Sequence, residues 1–500
     1  MLLEASTEPQ IEVKPEIRAH RGWRAVFSFP VVLALLLVVL TVITVRSRFN
    51  DPDLWYHLKI GEIMWNTHLI PRVDVFSFTA YGHPWVAQEW LSQLTLYGIY
   101  KFGGYMGLML WLCTLPSLLI VAEFVLCAFY SGNVKVAFLG GLITWLFATV
   151  GFALRPHLVG YLLLVCELLI LYVGRSRDAR WFLGLPFLFA FWINSHGSFF
   201  FGSVVLAVVL FCSFLEVHWG LVVSRRWEKR SRNMLAVASV LSLAALSINP
   251  LGLKLILSPI EVMGKLPVNL SQVQEWLPPH FDTGRGFGLL AVTGLILLVP
   301  LLRRAELSVE ELLLTALGFG FAVLHERMVF IFGILAAPIL CRVLADLWDR
   351  YEPDREQPLL NAVFIVVSIL AMVWAFPSGR QLQKQVEDGS PVKALDYIKR
   401  VGLSGPMVNE YVYGGYLIWA APQYKVFVDG RGDIFELTGV LSEYGDWIMV
   451  HTDPKVLLDK YHINFCLLSR DAPVTHVLPL LSGWKLVYSD KMSNVFVRQM

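Results

Sequence analysis

Apolar residues in this chain gather into eleven stretches, at roughly 25–45, 106–129, 134–152, 158–173, 181–194, 198–222, 234–248, 286–302, 308–324, 327–346 and 359–377. A helix that crosses a bilayer needs about 20 apolar residues, and most of the stretches approach that length. They predict an all-α polytopic membrane bundle of about eleven transmembrane helices. The polar residues between them are grouped. Asp51-Pro52-Asp53 follows the first stretch and Arg155-Pro156-His157 the third. Asn194-Ser195-His196 closes the fifth, and His325-Glu326-Arg327 stands between the ninth and tenth. Counting in and out from the N-terminus puts all four motifs at one face. Ionisable side chains at membrane boundaries are costly to place and tend to be functional, so this convergence predicts a single site.

The segments between the stretches complete the layout. Residues 1–24 alternate acid and base and predict a cytoplasmic lead. Residues 46–105 form an unusually long first outer loop, rich in aromatic residues between Trp55 and Trp90. Within it, Val86, Trp90, Leu94 and Tyr97 recur at helical spacing, with Gln88, Glu89, Ser92 and Gln93 on the opposite face. That pattern predicts an amphipathic helix lying in the interface. A second outer loop covers about 249–285. The tail, 378–500, has ordinary globular composition and predicts a small soluble α/β domain, with strands at Tyr424–Val428, Asn464–Leu468 and Asn494–Val497 and helices near 391–401 and 453–461. No internal repeat is evident.

Composition supports this class. Of 500 residues, 56% are hydrophobic and 16% charged, too apolar for a soluble protein of this size. The formal charge of +2 points to no nucleic-acid partner. The six cysteines suggest no disulfide framework. The predicted inner segments hold about 18 Lys and Arg against about 10 in the longer outer loops. This bias puts the N-terminus in the cytoplasm and exports the tail, so the expected location is the cell (inner) membrane.

The acid pair carries the most chemistry. Asp51 and Asp53 admit two functional roles: holding a divalent cation such as Mg2+ or Mn2+ against a phosphate, or acting as general base on an acceptor hydroxyl. A purely structural role is the alternative, with Asp51 capping a helix that begins at Pro52. Either way Asp53 and His57 fall one turn apart on one face. His57 is a phosphate donor or a packed hydrogen-bond partner. Arg155 and Arg327 are candidate phosphate ligands, since arginine offers paired donors. His157, His196 and Glu326 complete the candidate substrate-binding set. Glu261, Glu275 and the sequon Asn269-Leu270-Ser271 carry little weight. No Walker loop, zinc spacing or nucleophile elbow is present.

The run from Asp51 to Leu91, with its acid pair and aromatic residues, resembles the first extracytoplasmic loop of bacterial membrane glycosyltransferases of the C-type fold. Protein O-mannosyltransferases, the aminoarabinose transferase of lipid A and oligosaccharyltransferases belong to that superfamily. The resemblance covers the architecture of 1–380 and is specific only around 51–90. It implies inverting transfer of a sugar from a polyprenyl-phosphate carrier to an extracytoplasmic acceptor (protein, lipid or envelope glycan), with Asp51 and Asp53 matching the family's acidic pair. The tail lacks a Trp-Trp-Asp motif, which argues against transfer of whole oligosaccharides to asparagine. A lipid-linked-sugar transporter or flippase is the alternative. Such a protein would bind polar groups near the bilayer midplane and often show a repeat. A non-catalytic scaffold with an exported partner-binding tail is a third reading. Asp429 and Arg431, in the tail's Val428-Asp429-Gly430-Arg431-Gly432 run, either touch an acceptor or pair with each other.

Overall fold

The computed structural model describes residues 25–265 and 276–499. The lead 1–24, Asn269-Leu270-Ser271 and Glu275 lie outside the described residues. Glu261 falls in the helix Leu253–Lys265.

Helices occupy each of the eleven apolar stretches. They include α1 (Phe29–Val45), α3 (Trp90–Ser131), α4 (Val134–Ala148), α5 (His157–Ser176), α6 (Leu185–Ser195) and α7 (Phe199–Ser213), with α2 (Leu54–Thr67) in the first loop. Among the described residues, five helices are long and apolar enough to cross a membrane: Trp90–Ser131, Val134–Gly151, His157–Ser176, Gly284–Arg303 and Pro358–Ala375. Phe29–Val45 and Phe199–Ser213 are shorter and apolar. The sixth stretch is expected to run to residue 222, but its helix stops at Ser213. The polar residues Glu216 and His218 and a left-handed Gly220 turn the chain into a hairpin of β1 (Val217–Trp219) and β2 (Val222–Ser224).

The bundle is built around the helix Val329–Val343. Every residue from Val329 to Cys341 is buried, and α3, α4 and the helix Val309–Leu324 surround it. Pro358–Ala375 lies outermost along α1. It exposes Leu359, Val363, Phe364, Val367, Leu370 and Trp374. A soluble protein does not leave so continuous an apolar face in water, whereas hydrocarbon accepts it without cost.

The expected interfacial helix forms the first part of α3. Gly104, at φ 54° and ψ −147°, separates it from the spanning part. Only glycine occupies that region readily, so the helix turns there instead of running straight through. Its polar face is not exposed: Ser92 and Gln93 are buried.

The tail forms a four-stranded sheet in the order β3 (Met407–Asn409), β4 (Phe465–Ser469), β6 (Ser493–Arg498), β5 (Trp484–Ser489). β3 and β4 are parallel and the other pairs antiparallel. Two expected strands, at 464–468 and 494–497, correspond to β4 and β6. The third, Tyr424–Val428, does not join the sheet. The side-chain amide of Asn409 takes the place of a neighbouring strand: it accepts from the Phe427 N–H and donates to the Val428 carbonyl, both at 2.8 Å. The other edge of this segment pairs with the first loop. Phe78 N–H donates to the Val426 carbonyl and Val426 N–H to the Phe76 carbonyl, each at 3.1 Å.

Loop and tail therefore share a core. Tyr56, Ile60, Met64, Phe76 and Trp85 of the loop pack with Leu395, Val408, Leu417, Phe427 and Phe435 of the tail. At its centre Arg431, 1% exposed, reaches Asp74 of the loop at 2.7 Å and Asp429 at 2.6 Å. The guanidinium lies over the rings of Phe76 and Trp85. Of the two roles left open for Asp429 and Arg431, this is the pairing one. Burial opposes the charge of Arg431, but Asp429 and Asp74 more than offset it and raise its pKa. Removing one partner of a buried pair costs about 3–5 kcal/mol. Arg431→Gln is expected to lower full-length stability by about that amount and to expose the tail to limited proteolysis. An unchanged melting profile would show that the triad does not hold the two segments together.

Candidate active site

Pro52 lies in a tight turn ahead of α2, and the Asp51 carboxylate caps that turn by accepting the Asp53 N–H at 2.9 Å. This is the capping bond expected for Asp51, although regular helix begins only at Leu54. The cap does not exhaust Asp51. Arg155, at the head of α5, donates from Nε to both Asp51 oxygens at 2.8 and 2.9 Å. Its Nη1 lies 3.1 Å from Asp53 Oδ2. One guanidinium thus bridges two carboxylates that sequence reasoning had placed on a separate motif. All three side chains are mostly buried, at 10%, 19% and 18% exposure for Asp51, Asp53 and Arg155.

Behind this trio lies a histidine-rich wall. His57, one turn after Asp53, is buried, and its Nδ1 accepts from the Gln93 amide at 3.1 Å. His196 Nδ1 accepts the Ser198 N–H at 3.0 Å. Both rings therefore carry their hydrogen on Nε2, and both turn that edge toward Glu89. His196 Nε2 lies 3.3 Å from Glu89 Oε1, and His57 Nε2 lies 3.9 Å from Glu89 Oε2. His157 stands 6.3 Å from His196, ring centre to ring centre, and donates from Nε2 to the Gly151 carbonyl at 2.6 Å. Asn194 accepts from the Trp90 indole at 2.8 Å, and Ser92 donates to the Ser195 carbonyl at 2.8 Å. These bonds pin the interfacial helix to the end of α6.

Arg327 sits at the head of the central helix, over the Trp276 ring at 5.3 Å. Its charge is felt at both Glu89 and His196. Glu326 points away from the acid pair and binds Arg285 at 2.9 Å. His325 donates to the Trp276 carbonyl at 2.6 Å. The structure thus brings together Asp51, Asp53, His57, Arg155, His157, His196 and Arg327, and leaves Glu326 at the margin.

The tail closes this assembly. A Cβ on Gly430 would lie 2.0 Å from Asp53 Oδ1, so only glycine lets the Asp429–Arg431 turn rest on the acid pair. Arg155 is also the one charged residue lining an apolar cavity of about 220 Å3. Leu91, Leu96, Leu115, Leu118, Val159 and Leu162 form much of its wall.

Two contributors escape sequence reasoning. Glu89 reads there only as an interruption of an amphipathic pattern, and Gln93 likewise. The available signal is that these polar positions recur on one face of a helix that an interfacial role would otherwise leave in water. As for a metal, Arg155 occupies the position between Asp51 and Asp53 that a divalent cation would take. Among the described residues no third ligating side chain groups with them. In this structure the two carboxylates hold an arginine.

No protein-family model matches the chain, and no curated protein matches it in sequence. Solved structures match it in fold over most of its length, at low identity. The oligosaccharyltransferase of Archaeoglobus fulgidus, tethered to an acceptor peptide containing an NVT sequon, superposes at TM-score 0.53 and 13% identity, over 89% of this chain and 70% of that one. ArnT from Cupriavidus metallidurans bound to undecaprenyl phosphate superposes at TM-score 0.51 and 14% identity, over 96% of this chain and 98% of that one.

Burial sets the protonation of the site. It pushes Glu89 up from 4.5 to about 7, with Arg327 and Arg155 opposing and Asp53 and Asp433 adding to the rise. Burial, then Arg155 and His196, pushes His57 well below its ordinary 6.5. The linkage signs follow. Stability associated with Glu89 is full below pH 4.5 and is lost as pH rises through about 7. Stability associated with the neutral histidines is kept above pH 6.5 and lost as pH falls below it. Glu89→Gln removes only the first dependence. Thermal unfolding of both proteins at pH 5 and pH 8 is expected to show the variant gaining on the wild type as pH rises. A difference independent of pH would mean that Glu89 is not held protonated by burial.

Proposed function

We propose that this protein is a membrane glycosyltransferase that moves a sugar from a polyprenyl-phosphate carrier to an acceptor outside the cytoplasm. The observation that carries the reading is the placement of Arg155, whose guanidinium meets the acid pair and which also lines an apolar cavity. A carrier lipid has the matching parts: a hydrocarbon chain for the cavity, an anionic phosphate for the arginine, and a sugar that then falls beside the carboxylates. ArnT was solved with undecaprenyl phosphate, and an archaeal oligosaccharyltransferase, AglB, with dolichol-phosphate and an inhibitory peptide. Both support a carrier of this kind.

In the proposed reaction the acceptor attacks the anomeric carbon from the face opposite the phosphate and inverts it. Arg155 and Arg327 stabilise the negative charge that builds on the departing lipid phosphate. Asp53, the more exposed member of the pair, stabilises the positive charge that builds on the sugar. Preorganised charges of this kind are worth most in a site that excludes water. The resting N-terminus lies in the cytoplasm, and loop and tail face the opposite side. No step requires a metal.

The test is direct. Purified protein, given lipid-linked sugar and acceptor, is expected to release free polyprenyl phosphate, measured by mass spectrometry. Asp53→Asn is expected to slow that release by about 10²–10³-fold without unfolding the protein. Near-normal turnover by both Asp51→Asn and Asp53→Asn would remove the acid pair from the mechanism.

A further inference from the structure

Glycosyl transfer to an alcohol leaves one proton to be placed, and the acid pair is poorly arranged to take it. Both oxygens of Asp51 already accept from Arg155 Nε, and Oδ1 also accepts the Asp53 N–H. Asp53 Oδ2 faces Arg155 Nη1, while Oδ1 lies under the backbone of Gly430. Glu89 is engaged less tightly: its oxygens lie 3.3 and 3.9 Å from imidazole nitrogens, not against a guanidinium. It stands at the start of the interfacial helix, and its side chain is 23% exposed, slightly more than that of Asp53 at 19%. The edges it meets belong to two imidazoles, His196 and His57.

The geometry points to Glu89 as the group that takes the proton from the acceptor's hydroxyl, an assignment that rests on the glycosyltransferase reading above. The acceptor oxygen forms a bond to the anomeric carbon while the anomeric carbon–oxygen bond to phosphate breaks. The bonding pair leaves with the phosphate oxygen, and the acceptor's proton passes to a carboxylate oxygen of Glu89. His57 and His196 are positioning residues. Each holds its Nε2 hydrogen toward the carboxylate, because Gln93 and Ser198 fix the other ring nitrogen.

The surroundings suit a base that works near neutrality, where general acid–base groups are most effective. The groups that face Glu89 are His57 on α2, His196 after α6, Arg155 with Asp53, Arg327 at the head of the central helix and Asp433 of the tail. Burial dominates them and holds the carboxyl near pH 7.

The experiment uses full-length protein in nanodiscs, with total polyprenyl-linked lipid and envelope acceptor from its own host as probes. It follows polyprenyl phosphate release from pH 5 to pH 9. Wild-type kcat/KM is expected to climb tenfold per pH unit below about 7 and level off above it. Glu89→Gln is expected to lose about 10²–10⁴-fold and the acid limb with it, while donor lipid still co-purifies. Glu89→Asp, which keeps a carboxylate, is expected to recover part of the rate and a shifted limb. Wild-type release together with a Glu89→Gln variant that keeps both rate and limb would overturn the assignment alone. A wild type that releases nothing from any host lipid would overturn the glycosyltransferase reading, and Glu89 with it. Should Glu89→Gln fail to fold, the limb's position in Glu89→Asp decides. An unshifted limb there would overturn the proposal.

Discussion

Arg155 offers one guanidinium to two carboxylates at the point where the bundle meets the first loop, and the rest of the site is arranged around that contact. Removing three charges from water is expensive, and their mutual attraction repays it only with good geometry. The geometry is supplied from three directions. Pro52 and the Asp51 cap fix the acids, α5 brings the arginine, and the tail's Gly430 turn covers Asp53. The cation stands just before α5 and the acids in the first loop, so the contact sets the position of the loop against the bundle. The apolar cavity opens on the same arginine, which aligns the proposed carrier site with the proposed transfer site.

Much of this was legible in the sequence. Hydrophobic runs located the helices because nothing but a long apolar helix satisfies its own backbone in hydrocarbon. Parity of crossing brought Asp51, Arg155, His196 and Arg327 to one face, and these residues do converge. Glu326 was included by adjacency to Arg327, yet a one-residue step on a tight turn sends it toward Arg285 instead. Side-chain direction in a 3-10 turn is not readable from spacing.

What stayed hidden depended on partners far away in the chain. Glu89 looked like a solvent-facing acid on an interfacial helix because the sequence could not show that α2 and α6 would cover that face. Tyr424–Val428 looked like a strand, and it is extended and buried. Its hydrogen bonds go to the Asn409 side chain and to the first loop, a substitution that no local pattern announces. In both cases composition gave the right local shape, and tertiary contacts decided what the segment touches.

The shared core of loop and tail has a consequence for biogenesis. Thr79 donates to the carbonyl of Phe427, 348 positions downstream. At about 5–20 residues per second, ribosomes need roughly 20–70 s to make that partner. Throughout the interval the first loop lacks the tail residues it packs with, and the acid pair lacks the Gly430 turn. The cover over Asp53 is therefore built only once residues 427–431 have been made.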